Sequence, residues 1–264
     1  MTPILLIGAG RMGGAMLAGW RLAGAFQPSD LMIRDPAPGP QATASGALLN
    51  PDAAAMGRAR TVVILVKPQI WREAMAEVAP HLAADAVIVS IPAGVASVDV
   101  AAALGGRKVA RVMPTTAAQI GQGTASVFAT DPQAKAAAHA LFAPLGTVVD
   151  LGDEDQMHAA TAVSGSAPAY LYALVEALEA AGVSLGLPPA AARDLARATM
   201  SGAAALMAET GADAADLRRQ VTSPNGTTEA ALKVLQGEHG LGPLLKHAAA
   251  AAEQRSRELG KPGA

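Results

Sequence analysis

Residues 3–14 read PILLIGAGRMGG, a short apolar run followed at once by closely spaced glycines. The apolar run is typical of a buried strand and the residues after Met12 are typical of a helix, so Gly8, Gly10 and Gly13 form a GxGxxG motif between the two. Gly8 permits a tight turn, Gly10 lets a pyrophosphate approach the backbone, and Gly13 lets helix and strand pack closely. In this context the motif predicts a dinucleotide site, with the pyrophosphate at the helix N-terminus.

Arg34 and Asp35 stand where such sites contact the adenosine ribose. They close a second apolar run that begins at Leu31, and they follow the motif by about 20 residues. An acid there accepts hydrogen bonds from the ribose hydroxyls of NAD, whereas an arginine favours the 2′-phosphate of NADP. Arg11, inside the glycine loop, is a second candidate partner for that phosphate. The choice between NADPH and NADH therefore stays open.

Three further apolar runs, over residues 61–66, 86–90 and 108–112, end in polar or proline-containing breaks. Such runs are typical of buried parallel strands, and doubly wound sheets bind ligands at the carboxyl ends of their strands. The candidate ligand-edge residues at these breaks are Lys67, Pro68, Ala93, Met113 and Thr115. Strands alternate with helical patterns, including helices over 41–49 and 51–57, which predicts an α/β Rossmann-type doubly wound sheet.

The pattern changes after Asp153-Glu154-Asp155, where strands stop and helices carry the chain to its end. We predict that residues 1–152 form a dinucleotide-binding Rossmann domain and that residues 153–264 form an all-α dimerisation and substrate-binding domain. The acidic triplet is expected to complement a helix dipole rather than to bind a metal. The helices of the second domain are apolar on more than one face, so some of these faces must be buried against a partner subunit. This predicts an intertwined homodimer.

Composition excludes several classes of function. The 264 residues include no cysteine, which rules out disulfides and cysteine metal sites and is compatible with a reducing compartment. A formal charge of −2 provides no field for nucleic acid. No apolar run approaches the roughly 20 residues of a membrane span, and the N-terminus lacks a basic signal region, so a cytoplasmic protein is expected. The five histidines have no metal-ligand spacing, and we expect no metal.

A second candidate site lies at residues 221–236, which read VTSPNGTTEAALKVLQ, a polar turn that breaks into a helix. Hydroxyls and an acid at the start of a helix accompany backbone N–H groups that have no partner within the helix, and such groups hold anions. The chain thus offers a cofactor site and an anion site. A hydride transfer needs little more, because the cofactor does the chemistry while the protein orients its partner.

Six blocks of sequence, in order, resemble those of pyrroline-5-carboxylate reductases, and together they span essentially the whole chain. They are GAGRMGG (8–14), VKPQ (66–69), MPTT (113–116), AVSGSAPAY (162–170), VTSPNGTTEAALKVLQ (221–236) and RSREL (255–259). The resemblance implies a Rossmann domain, a helical dimerisation domain, and NAD(P)H-dependent reduction of 1-pyrroline-5-carboxylate to L-proline, the last step of proline biosynthesis. It also implies a homodimer that assembles further, commonly into a decamer, a pentamer of dimers.

The resemblance also implies roles for particular residues. It assigns the pyrophosphate to Gly8, Gly10, Arg11, Met12 and Gly13, and the adenosine ribose to Arg34 and Asp35. It places Lys67, Pro68, Ala93, Met113 and Thr115 near the nicotinamide. It assigns the substrate carboxylate to the backbone around Gly226, Thr227 and Thr228, with Ser223 and Asn225 nearby, and the imine nitrogen to the hydroxyl of Thr228.

The chain departs from the family pattern at several positions. Thr115 stands where asparagine is common, Ala167 replaces a glycine, and Asp213-Ala214 replace a common His-Pro pair. Asn225 replaces the first glycine of an S-P-G-G turn, and because asparagine tolerates left-handed backbone angles, the loop is expected to keep its shape. The alternatives are a reductase of a related cyclic imine, a β-hydroxyacid-type dehydrogenase, and a non-catalytic NADP-binding sensor.

Overall fold

The structure is a computed structural model that describes residues 1–261, so the last three residues of the predicted second domain lie outside it. The described residues form two compact units, of which the first comprises Met1–Gly165 together with residues 251–261, and the second comprises Ser166–Ala250. By packing, the first unit therefore extends past the predicted boundary at residue 152 and also includes residues 251–261. The sequence boundary marks where strands stop, which is a different criterion.

The first unit is an eight-stranded sheet flanked by helices. Its strands are β1 (Ile4–Ile7), β2 (Leu31–Arg34), β3 (Leu48–Leu49), β4 (Thr61–Ile64), β5 (Val87–Ser90), β6 (Val109–Pro114), β7 (Gly123–Phe128) and β8 (Gly146–Asp150). Its helices are α1 (Arg11–Ala23), α2 (Pro40–Thr43), α3 (Ala53–Met56), α4 (Trp71–Val78), α5 (Ser97–Ala103), α6 (Pro132–Phe142) and α7 (Gln156–Ala160). The strand order is β3-β2-β1-β4-β5-β6-β7-β8, and every neighbouring pair is parallel except β6 and β7. The predicted α/β doubly wound fold is confirmed.

Both faces of the sheet are buried along its central strands β1, β4, β5 and β6. Along β1, Ile4 and Leu6 enter one apolar core, whereas Leu5 and Ile7 enter the other, as the two-residue period of a strand requires. Helices α1 and α6 cover the first face, and α3, α4 and α5 cover the second. The strand order reverses on either side of β1, which pairs with both β2 and β4. This reversal opens the crevice in which such sheets bind ligands, at the carboxyl ends of the strands.

The prediction of a helix over residues 41–49 is wrong. Helix α2 ends at Thr43, and Leu48–Leu49 form the edge strand β3, which pairs with β2. Gly46 explains the break, because it adopts a positive φ of 73° that a helix does not contain. Asn50 N then donates to Ile33 O at 2.7 Å and fixes the chain against β2.

The second unit is entirely helical in the described residues. It contains α8 (Ala167–Ser184), α9 (Pro189–Thr210), α10 (Ala214–Gln220), α11 (Thr227–Leu235) and the first part of α12 (Leu241–Leu259). Gly182 lets α8 and α9 approach closely, since a Cβ there would lie 3.0 Å from the Cβ of Ala192. No residue of α8, all of which is described, is buried within the single chain. Large apolar side chains such as Tyr172 and Leu185 are 67% and 85% exposed, so the isolated unit leaves apolar surface uncovered.

Two absences hold for residues 1–261. No helix there combines the length and the apolar character needed to cross a membrane. Nor do three or more histidine or carboxylate side chains come together as a metal site within that range.

Candidate functional site

The glycine loop after β1 has the geometry that the motif predicts. Gly8 adopts φ +92°, and a Cβ at that position would lie 3.0 Å from Cγ1 of Val66, so the turn requires glycine. A Cβ at Gly13 would lie 3.1 Å from the carbonyl oxygen of Gly8, which explains the close packing of α1 on the loop. A Cβ at Gly10 would meet nothing within 4 Å. Gly10 therefore borders open space, where a ligand can approach the backbone.

The N-terminus of α1 is free to receive an anion. Gly10 is its N-cap, no side chain caps it, and its first turn contains no acidic residue. The N–H groups of the first turn therefore lack intrahelical partners, and they carry the positive end of the helix dipole. Arg11 is exposed beside them and Met12 is half-buried. This arrangement fits the pyrophosphate of a dinucleotide.

Asp35 has a contact that the sequence did not predict. Its Oδ2 accepts a hydrogen bond from Ala9 N at 2.6 Å, and its Oδ1 accepts one from Ala37 N at 2.8 Å. The carboxylate thus holds the glycine loop against the end of β2, while its remaining lone pairs stay available to a ligand. Neighbouring Arg34 forms an ion pair with Glu77 at 3.4 Å, but both side chains are largely exposed. Such a pair is weak and leaves the guanidinium free to exchange partners.

The breaks after β4, β5 and β6 lie at the same edge of the sheet, since these strands are parallel neighbours. Lys67 is exposed, and Pro68 and Ala93 are half-buried. Met113 and Thr115 are buried, at 9% and 7% exposure. The structure therefore collects these predicted residues along one edge of the first unit.

Thr115 also has a structural task. Its Oγ1 accepts a hydrogen bond from Thr124 N at 3.0 Å, and its own N donates to Thr124 O at 2.9 Å. These two bonds fix the end of β6 to β7. The Thr115 hydroxyl is sufficient for that task, and its proton remains available as a donor.

The loop between α10 and α11 forms a compact turn in the second unit. Gly226 N donates to Ser223 O at 3.1 Å, and a Cβ at Gly226 would lie 2.4 Å from Oγ of Ser223, so a larger residue there would displace the Ser223 hydroxyl. Asn225 adopts φ +60°, which confirms that asparagine supports the left-handed turn. Asp213, in place of the common histidine, caps α10 by accepting from Ala215 N at 3.2 Å.

Helix α11 begins without a side-chain cap. Gly226 is its N-cap, and Thr227 and Thr228 are its first two residues. Thr228 is half-buried and does not cap the helix, so capping does not account for its presence. Glu229 Oε2 accepts from Asn225 N at 2.5 Å, and its Oε1 pairs with Lys233 at 3.2 Å. The N–H groups of Thr227 and Thr228 stand at the positive end of the helix dipole, where an anion is stabilised.

Two residues of the acidic triplet have partners far from the helix that follows it. Glu154 accepts hydrogen bonds from Ser97 and pairs with Arg111, and Asp155 forms a bidentate pair with Arg257. Asp155 is the N-cap of α7, but its side chain makes no cap hydrogen bond. The expectation that the triplet complements the dipole of the helix that follows it is therefore corrected for Glu154, which accepts at the start of α5, and for Asp155, which pairs with Arg257.

Sequence reasoning missed a group of buried polar residues around that triplet. Burial lowers the pKa of Arg111, although Glu154 opposes the shift. Burial and the positive charges of Arg111 and Arg257 lower the pKa of His158, whose Nδ1 lies 3.0 Å from Oγ of Ser256. Nothing in the spacing of these residues indicates that they meet. The one signal in the sequence was an arginine, Arg111, inside the otherwise apolar run 109–114, which indicates a buried charge that needs a partner.

The first unit is a doubly wound sheet whose glycine loop, at the switch point, leads into a helix without a side-chain cap. The second unit contains a turn that can bind an anion. These two features together define the class of dinucleotide-dependent oxidoreductases.

Comparison with known proteins narrows that class. A family model described as pyrroline-5-carboxylate reductase dimerisation matches residues 154–259, and one described as NADP oxidoreductase, coenzyme F420-dependent, matches residues 3–94. The pyrroline-5-carboxylate reductase of Pseudomonas aeruginosa is 40% identical, over 98% of this chain and 97% of its own. That of Corynebacterium melassecola is 37% identical, over 99% and 100%. The chain belongs to the pyrroline-5-carboxylate reductase family.

Solved structures agree with this assignment. A pyrroline-5-carboxylate reductase from Coxiella burnetii superposes with a TM-score of 0.88 at 31% identity, and covers 98% of this chain and 99% of its own. The Plasmodium falciparum enzyme, solved with NADP bound, has a TM-score of 0.85 over 98% of both chains. Because the identity is only 23%, the comparison with the Plasmodium falciparum enzyme shows similarity of fold alone.

Proposed function

We propose that this chain reduces 1-pyrroline-5-carboxylate to L-proline, with NADPH as the hydride donor. The observation that carries the proposal is the turn at residues 221–228, which presents uncapped N–H groups and a half-buried threonine hydroxyl in a chain with an intact dinucleotide loop. Family membership supports it, since curated relatives over nearly the full length bear this enzyme's name.

The first unit would hold the cofactor. Open space beside Gly10 and the free N-terminus of α1 fit a pyrophosphate, with Gly8, Gly10, Arg11, Met12 and Gly13 around it. Arg34 and Asp35 would contact the adenosine ribose, and the loose pairing of Arg34 leaves it free for a 2′-phosphate. Lys67, Pro68, Ala93, Met113 and Thr115 would line the nicotinamide end. When bound, NADPH supplies a hydride; NADH is the alternative donor.

The turn of the second unit would hold the substrate. The N–H groups of Thr227 and Thr228 would bind the carboxylate, and the positive helix end would stabilise it. The N–H of Gly226 donates to Ser223 O, so Gly226 would contribute by shaping the turn beside the carboxylate. Ser223 and Asn225 shape the turn. A protonated C=N is already electrophilic, so the main task of the protein is to position it. Binding must bring the imine carbon to about 3–3.5 Å from the donor carbon.

Thr228 would orient the imine nitrogen. Its hydroxyl can accept a hydrogen bond from the protonated nitrogen and relay a proton through water. It is too weak an acid to protonate the imine outright. The hydride adds to the carbon of the C=N bond, its π electrons become the nitrogen lone pair, and the product is a secondary amine.

We propose that the second unit pairs in a homodimer, and that residues 153–264 act as the dimerisation and substrate-binding domain. The uncovered apolar surface of α8 and α9 supports this, as does the match to a dimerisation family model. We propose that the dimers assemble further into a pentamer of dimers. We also propose that the protein is cytoplasmic, which is compatible with a chain that has no cysteine.

A steady-state assay tests the function. The full chain should oxidise NADPH on addition of 1-pyrroline-5-carboxylate and form L-proline. A higher kcat/KM for a six-membered cyclic imine carboxylate would indicate the related reductase. Binding of NADPH without any turnover would indicate a sensor and overturn the proposal.

A further inference from the structure

Glu154 makes three contacts that link separate parts of the ligand edge. It lies between β8 and α7, and its side chain is 22% exposed. Its Oε1 accepts from Ser97 N at 2.6 Å, and its Oε2 accepts from Ser97 Oγ at 2.7 Å. Ser97 is the first residue of α5, whose own N-cap, Ala96, offers no side-chain hydrogen bond. Glu154 therefore caps α5 from a distant part of the chain, and holds the start of that helix where the loop bearing Ala93 ends.

The same carboxylate reaches β6. Its Oε1 lies 3.3 Å from Nη1 of Arg111, whose side chain is only 3% exposed. Nε and Nη2 of Arg111 have no hydrogen-bond partner within residues 1–261, so Glu154 is the charge partner of a buried guanidinium. Arg111 stands two residues before Met113, on the same face of β6. The pair of Glu154 and Arg111 therefore anchors the part of β6 that carries Met113.

We propose, on the basis of the function proposed above, that Glu154 is a positioning residue for the nicotinamide end of the cofactor. Its carboxylate fixes the loop after β5, which carries Ala93, relative to the end of β6, which carries Met113. The two bonds from Ser97 are short hydrogen bonds to a charged acceptor, which are stronger than neutral ones, and the contact with Arg111 is a longer ion pair at 3.3 Å. Glu154 contacts neither the cofactor nor the substrate itself, so it acts through the geometry of these two segments.

The experiment compares variants of the full chain by fluorescence titration with NADPH and by steady-state kinetics. Glu154→Ala would leave both segments unanchored and the cofactor site misplaced, so it should raise the Kd for NADPH about tenfold or more, while the KM for the imine changes less than threefold. Glu154→Gln keeps an oxygen that can accept from Ser97 N, and should stay within about threefold of the parent. The matched control is Asp153→Ala, which removes the adjacent exposed acid and should change neither value.

A double variant separates positioning from stability. Glu154→Ala strands the charge of Arg111, which by itself destabilises the fold. Glu154→Ala with Arg111→Met removes that charge, so Tm should recover, yet Ser97 stays unanchored and the Kd should remain high. Recovery of both Tm and Kd, or a parental Kd in Glu154→Ala, would overturn the inference. Because titration with NADPH requires no turnover, lack of activity in the parent would refute the proposed function and leave the test of Glu154 intact.

Discussion

Replacing Asp35 by alanine would remove the acceptor that holds the glycine loop to the end of β2. Ala9 is only 4% exposed, so its N–H, which now donates to Asp35 Oδ2 at 2.6 Å, would lose its partner in a buried position. An unsatisfied buried donor costs about 1–3 kcal/mol. At about 2–4 °C per kcal/mol for a chain of this size, Asp35→Ala should lower Tm by about 2–12 °C. It should also raise the KM for NADPH, because the loop that would receive the pyrophosphate is no longer held.

Asp35→Asn is the matched variant. Its amide oxygen can still accept from Ala9 N, so most of the lost stability should return. It also removes a negative charge from the position expected to face the ribose, and the ratio of kcat/KM for NADPH over NADH should rise. Thermal unfolding and kinetics with both cofactors measure these effects. A parental Tm and NADPH KM in Asp35→Ala would refute the view that this carboxylate holds the loop.

Three further expectations follow from the geometry. Gly146 has φ +140° and no room for a Cβ against Gly123 O, so Gly146→Ala should lower the unfolding free energy by more than about 2 kcal/mol in a denaturant titration. Glu229→Gln keeps an acceptor for Asn225 N but removes a negative charge beside the proposed carboxylate site, so the KM for the imine should fall; a rise would contradict that placement. Burial and nearby arginines lower the pKa of His158 below its ordinary 6.5, so the unfolded chain takes up the proton more readily and stability declines as pH falls below that value. His158→Asn should flatten the decline of Tm with pH, and an unchanged slope would exclude His158 as its source.

The fold could be predicted because its signals are local. The glycine motif, the apolar strands and the breaks at their ends each lie within a few residues, and a parallel sheet brings its carboxyl ends to one edge by topology alone. Asn225 could also be predicted, since the left-handed angle it adopts depends on its own side chain and backbone.

The parts that escaped prediction depend on contacts between distant residues. Glu154 and Arg111 are 43 positions apart, and no periodicity links them. Asp35 is an acidic residue at the position in the sequence that is typical of a ribose contact. Its hydrogen bond with Ala9, however, depends on how β2 lies against the loop after β1. Edge strand β3 was missed because two residues are too few to show an alternating pattern, and Gly46 gave the single local sign that the helix had ended.

The central claim is that the turn at residues 221–228 presents the imine to a hydride donor. It is tested most directly by the kcat/KM for 1-pyrroline-5-carboxylate in the parent chain, Thr228→Ala and Thr228→Ser, at saturating NADPH. Loss of one hydrogen bond to a charged group corresponds to about tenfold or more, so Thr228→Ala should fall by at least that factor with an unchanged Kd for NADPH, while Thr228→Ser should retain most activity. Equal values in the parent and Thr228→Ala would contradict the account.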